Sequence, residues 1–158
     1  RSASWGLAAV AKYSPAGSAS RQFKLAGEYL RRRETGELTY DADGAALQDG
    51  LRSVQSGWYL QAGYRFADNW RASLRHDRLD SGTVDIGLVQ SGVLAAADFP
   101  TYAAFKPRRD SASLDYLPSE FSRIRLQYNR DVSQPGRGDN QILLQYTLSL
   151  GAHGAHQY

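Results

Sequence analysis

Apolar and polar residues alternate with a period of two through seven runs of this chain, and the runs are long. Successive side chains of a strand point to opposite faces, so this period predicts strands and excludes amphipathic helices as the main element. The runs cover residues 4–13, 22–32, 57–67, 69–79, 111–117, 121–130 and 140–150. One face of each is apolar: Trp5, Leu7, Ala9, Ala11 and Tyr13 in the first, Trp58, Leu60, Ala62, Tyr64 and Phe66 in the third, Ile142, Leu144, Tyr146, Leu148 and Leu150 in the seventh. A strand of a water-soluble domain has about 5–6 residues. Here all but the fifth run approach the roughly 9–11 residues with which a tilted strand crosses a bilayer.

The connections alternate in length. Residues 14–18, 67–69 and 118–120 are short turns, and Pro118 ends the fifth run because it has no N–H to give to a ladder. Residues 33–56 and 80–110 are long links, and 131–139, with Pro135-Gly136, is intermediate. Tight turns on one side and long loops on the other are the rhythm of an outer-membrane barrel. The stretch from Glu34 to Asp49 holds five acids and no base, which reads as a solvated outer loop. Residues 84–97 are small and apolar and suit a short helix or a loop packed into the mouth. The aromatics fit the same frame. Trp5, Tyr29, Trp58, Phe66, Trp70, Phe121 and Tyr128 fall near the ends of runs, where rings with an apolar body and a polar edge belong at a membrane boundary. From Trp58 to Phe66 a strand tilted by roughly 40° rises about 20 Å, against a lipid-facing band of about 25 Å.

The opposite face has another chemistry. Lys24, Glu28, Arg65, Arg71, Arg75, Asp115, Arg123, Arg125 and Gln127 are the expected lining of a lumen, together with Lys12, Arg32, Asp77 and a series of Gln, Asn, Thr and Ser. This face cannot be a dry core, because each unpaired buried charge costs several kcal/mol. Lining a water-filled tube, its arginines favour anions and grip carboxylate or phosphate with two prongs. Alternatively they pair with carboxylates from strands or a plug outside this chain.

Composition narrows the function. The charge of +3 is too mild for a nucleic-acid binder, and the basic residues are 16 Arg and 3 Lys. Without Cys there is no disulfide framework, no Cys-ligated zinc and no thiol chemistry. No apolar run reaches the roughly 18 residues of a transmembrane helix, a fact that leaves strand-built membrane proteins open. The chain is read as a non-enzyme. His76 and Asp77 are adjacent, so on a strand they point to opposite faces and cannot form a catalytic pair. His153 and His156, three apart in Gly-Ala-His-Gly-Ala-His, are a weak candidate for a zinc ion, with no carboxylate nearby to complete it; no other cofactor is expected.

Two segments carry a family likeness: Leu117-Pro118-Ser119-Glu120-Phe121-Ser122-Arg123-Ile124-Arg125-Leu126-Gln127-Tyr128-Asn129, and the stretch from Leu143-Leu144-Gln145-Tyr146 to Gly154-Ala155-His156. Over about the last 45 residues the chain resembles the C-terminal end of proteobacterial outer-membrane proteins of the porin or TonB-dependent receptor kind, some of them linked to zinc. Tyr158 resembles the terminal aromatic of their insertion signal, displaced from the clean alternation by Gly-Ala-His-Gly-Ala-His. The resemblance implies an outer-membrane transport role, with a periplasmic energy-coupling partner in the receptor case.

The expectation is an all-β, antiparallel up-and-down transmembrane barrel forming one domain over residues 1–158. It is a small barrel or the C-terminal part of a longer one, because the first run starts almost without lead-in. It would lie in outer-membrane lipid and pass a small solute, a metal ion or a metal complex. Two other readings fit the pattern: a structural or adhesion barrel that binds a partner through its long loops, and a soluble barrel holding an apolar ligand inside Trp and Tyr. Seven strands is an odd number where single-chain bacterial barrels use even ones.

Overall fold

In a computed structural model, described over residues 1–16, 21–41 and 43–149, the chain forms one seven-stranded sheet. The strands are β1 Ser2–Tyr13, β2 Gln22–Tyr40, β3 Leu47–Ala67, β4 Trp70–Ile86, β5 Arg108–Ser119, β6 Ser122–Gln134 and β7 Arg137–Leu148. Each pairs antiparallel with the next, in the order of the sequence. All seven alternating runs are therefore strands in an antiparallel meander. Among the described residues β1 and β7 are edges that do not pair with each other, so the sheet is open where a closed barrel was expected.

The two long links are not loops throughout. Alternation continues past residue 33, and β2 and β3 run on as one hairpin paired as far as Tyr40 and Leu47, with Asp41 and Ala46 at positive φ. Glu34, Glu37 and Asp49 lie on these strands, so the acidic stretch is for the most part sheet. β4 likewise runs to Ile86 and β5 begins at Arg108, which makes the fifth strand 12 residues long. Phe121 lies in the turn before β6, outside the ladder.

The remaining link, residues 87–107, folds into a one-turn helix α1, Gly87–Gln90, and two 3-10 turns, Ala96–Asp98 and Pro100–Tyr102. With Ile86 at the end of β4 it forms the only apolar core among the described residues: Ile86, Leu88 and Phe99, packed against Leu38, Tyr40, Leu47 and Leu51 of the extended hairpin. Tyr40 and Phe99 meet edge-on at 5.5 Å. The expected short helix in this stretch is present, and its packing explains the hairpin. Leu38, Tyr40, Leu47 and Leu51 have the same strand parity as Glu28 and Gln61, so the polar face turns apolar at this end and α1 covers it.

β4 meets the extension through a bulge between the pairs Val54–Thr83 and Ser56–Asp80. Gly82 sits there at φ 61°, and a Cβ on it would collide with the Val54 carbonyl. A G82A variant is expected to lose about 1–3 kcal/mol, read as a lowered denaturation midpoint, because both strain and overlap are added. The neighbouring Asp80 accepts the Gly82 N–H at 2.9 Å and faces Lys106 Nζ at 3.0 Å, which hold its carboxyl below the usual carboxylate range.

Candidate functional site

The sheet is inverted relative to a water-soluble layer. Along β3 to β6 the apolar residues are the exposed ones and the polar residues between them are sheltered. Ala112 is exposed while its neighbours Ser111 and Ser113 are half-buried. Leu7 is 71% exposed, Leu74 64%, Leu144 77% and Ile142 79%, whereas the Asp115 side chain is fully buried. No other layer of the described chain covers the apolar face. In water such a contiguous patch marks an interaction surface or a membrane contact.

The polar face brings together the residues expected to line a lumen. Asp115 on β5 is gripped from both sides. Arg71 of β4 donates Nε and Nη2 to its Oδ2 at 2.9 and 2.6 Å, and Arg125 of β6 donates Nε to Oδ1 at 2.6 Å and Nη2 to Oδ2 at 3.0 Å. The register dictates this triad, since Arg71, Asp115 and Arg125 are direct cross-strand neighbours. Arg75 of β4 chelates Asp77 two residues on, reaches Gln61 Oε1 at 3.3 Å and stacks its guanidinium 3.8 Å above the Tyr59 ring. Arg109 pairs with the buried Asp131, and Gln127 donates to Asn129 at 2.7 Å. Arg123 reaches Thr147 at 3.3 Å through Nη2, while its buried Nε has no hydrogen-bond partner among the described residues. Lys24 and Glu28 lie on this face without an ion pair among the described residues, and Arg65 donates to the Asp68 carbonyl. The internal ion pairs of Arg71, Arg109 and Arg125 thus need no carboxylate from outside this chain.

The expected boundary aromatics other than Phe121 stand on the other face. Trp5 lies against Tyr29 at 5.4 Å, and Trp70 against Tyr116 at 4.9 Å. Trp58, Phe66 and Tyr128 are exposed there as well. Trp58 covers His76 at 5.2 Å, and His76 Nδ1 lies 2.6 Å from Asp110 Oδ1. Asp77 turns to the opposite face, as the alternation requires. The sequence reading missed Asp110 as the partner of His76, along with Arg109, Asp131 and Tyr59, because cross-strand pairing follows from register and β5 starts three residues earlier than its pattern indicated. His153 and His156 lie outside the described residues; among the described residues no group of three His, Cys, Asp or Glu is placed to hold a metal.

The register also shows how the apolar band runs. One ladder row joins Tyr13, Phe23, Tyr64, Ala72, Leu114, Leu126 and Leu144. On β1 the band extends from this row only toward the long-connection end, through Trp5, so its centre is Ala9, four residues above the row. On β7 it runs from Ile142 to Leu148, and its centre is Gln145, one residue below the row. The band thus drops five residues over six strand-to-strand steps. A row higher on the sheet passes from Ala9, Gly27 and Leu60 into His76, Asp110, Arg130 and Asn140, where the apolar band has already moved down.

No protein-family model and no solved structure matches the chain. It is similar to a protein of Aquifex aeolicus (strain VF5) described as an uncharacterized protein, with 25% identity over 158 residues. The alignment takes in 98% of this chain and spans 30% of that relative's length.

Proposed function

We propose that the chain is a stretch of a transmembrane β-barrel in a bacterial outer membrane, and that the barrel passes a small solute, a metal ion or a metal complex through a polar lumen. The observation that carries this reading is the slanted apolar band. A drop of about 0.8 residue per strand, at about 3.4 Å per residue and about 4.8 Å between strands, is a slope of about 30°. Strands of membrane barrels tilt by roughly 35–45°, and a level hydrocarbon slab cuts tilted strands along such a slant. Strands of soluble barrels tilt by a similar angle, so the slant speaks for a barrel, and the uncovered apolar face speaks for the membrane. The tilt also accounts for His76, Asp110, Arg130 and Asn140, which rise to the headgroup level beside Trp58 and Tyr128.

Other features support the reading. The polar face carries fixed, hydrogen-bonded charges, as a water-filled lumen permits and a dry core does not. The segment 87–107 packs on that same side at the long-connection end, where it would narrow the mouth. The two unpaired edges call for further strands or mutual closure, and the relative's greater length allows for a larger, even-stranded barrel. The ordered β2–β3 extension favours a second reading, a barrel that binds a partner through its outer connections, with receptor-type uptake and its energy-coupling partner as one form of it.

The three tryptophans, Trp5, Trp58 and Trp70, all lie on the apolar face, which makes the test direct. In vesicles of brominated lipid the full-length protein should lose most of its tryptophan fluorescence, apart from that of any other tryptophans, and should migrate differently on a gel before and after heating. Fluorescence of these residues unchanged by brominated lipid, from protein that stays in solution without detergent, sinks the reading.

A further inference from the structure

The ladder rows sort the charges of the polar face along the strands, a feature the mere list of residues hides. Toward the tight-turn end lie Lys12, Lys24, Arg65, Arg71, Arg123 and Arg125 against the single carboxylate of Asp115. One row farther toward the long connections lies Arg75, and one row beyond it Arg109 stands with Glu28, Asp77, Asp131 and Asp139. Counted over strand residues, the first zone has six cations to one anion, with Asp68 and Glu120 in the turns below it, and the second has two cations to four anions, with the Arg32–Glu34 pair beyond it. Correcting each strand for the slant of the apolar band leaves the division unchanged, because every residue stays on its side of the band's centre or, like Arg71 and Arg125, slightly below it.

We infer that the tight-turn zone is an anion-binding belt, and that the solute taken through this lumen carries carboxylate or phosphate groups; this rests on the pore reading above. Within this zone like charges stand directly opposite each other in two places, Lys12 with Lys24 and Arg65 with Arg71, as the carboxylates of Asp131 and Asp139 do in the acidic zone. Such pairs destabilise a ladder unless something negative lies between them. The only strand-borne carboxylate in the zone among the described residues is already used twice, by Arg71 and Arg125. Among the described residues Lys12 and Lys24 have no ion pair, and the Arg123 Nε is buried without an acceptor. A two-pronged guanidinium and flanking ammonium groups suit planar carboxylates and phosphates. The acidic zone beyond it opposes anions, so entry from the two ends differs.

The test is the full-length protein in a planar bilayer under a potassium chloride gradient. The reversal potential should report chloride permeating about threefold or more over potassium, with unequal currents at opposite voltages. Inorganic phosphate should block at lower concentration from one side than from the other. A K12Q/K24Q/R123Q variant, checked for heat-modifiable migration, should bring the permeability ratio toward one and abolish the asymmetric block. Channels that prefer potassium, or wild-type channels without preference or asymmetry, overturn the belt and leave the pore standing. Inserted, heat-modifiable protein that gives no current steps overturns the pore reading, and the belt with it.

Discussion

An Asp115→Asn variant should lose about 3–5 kcal/mol of stability, the largest effect expected of any conservative change on the polar face. Asp115 is fully buried, and both its oxygens accept from guanidinium groups on the strands to either side. The carboxamide keeps the shape and removes the charge. It also turns one acceptor into a donor that points at Arg125 or Arg71. Two cations about one strand spacing from the same centre then repel without a counter-charge, and β4, β5 and β6 lose the ion pairs that tie them together on this face. The measurement is urea denaturation followed by gel migration or tryptophan fluorescence, with R71Q as a control. Because the Arg71 side chain is more than one-third exposed, R71Q leaves Asp115 still held by Arg125 and should cost clearly less. Equal losses in the two variants would mean that the triad is not centred on the carboxylate.

The contrast between Asp115 and its neighbours shows what the sequence makes legible. Alternation is local, so the strands and the division of residues between faces follow from the order of residues alone. Asp115, Arg71 and Arg125 are recognisable as members of the polar face. That they meet is not, because the pairing depends on the register of β4 against β5 and of β5 against β6, set by turns whose length the pattern fixes only to within a residue or two. The β2–β3 extension is hidden for another reason. Its acids and its glycines at 36, 44 and 50 resemble a loop, and the apolar residues that hold it, Leu38, Tyr40, Leu47 and Leu51, are covered by Leu88 and Phe99 from a distant part of the chain. Closure is not written in a period of two either: alternation specifies strands and faces, while open edges and closed barrels share it.

A Leu74→Arg substitution separates the membrane reading from a water-exposed sheet more sharply than any change on the polar face. Leu74 is 64% exposed, lies mid-band on β4, and has Ala62 and Ala112 as its cross-strand neighbours. If the apolar face meets water, the variant replaces one exposed side chain by another, and such changes stay within about 0.5 kcal/mol. If it meets hydrocarbon, an arginine near the midplane costs about 2–4 kcal/mol, less what its long stem recovers by reaching toward the interface. The same substitution at Arg78, the next but one outward-pointing position of β4, needs no new charge, since an arginine already stands there beside Trp58 at the level where the band has ended. Depth dependence is therefore the decisive quantity: arginine scanned along β4 at positions 72, 74 and 76 should cost most at 72 and 74 and little at 76. Refolding into vesicles of short- and long-chain lipid gives a second axis, because a thicker hydrocarbon layer should raise the cost at 76 toward that at 74. A flat profile along β4, identical in both lipids, means the Trp, Tyr and Leu face meets something other than a bilayer.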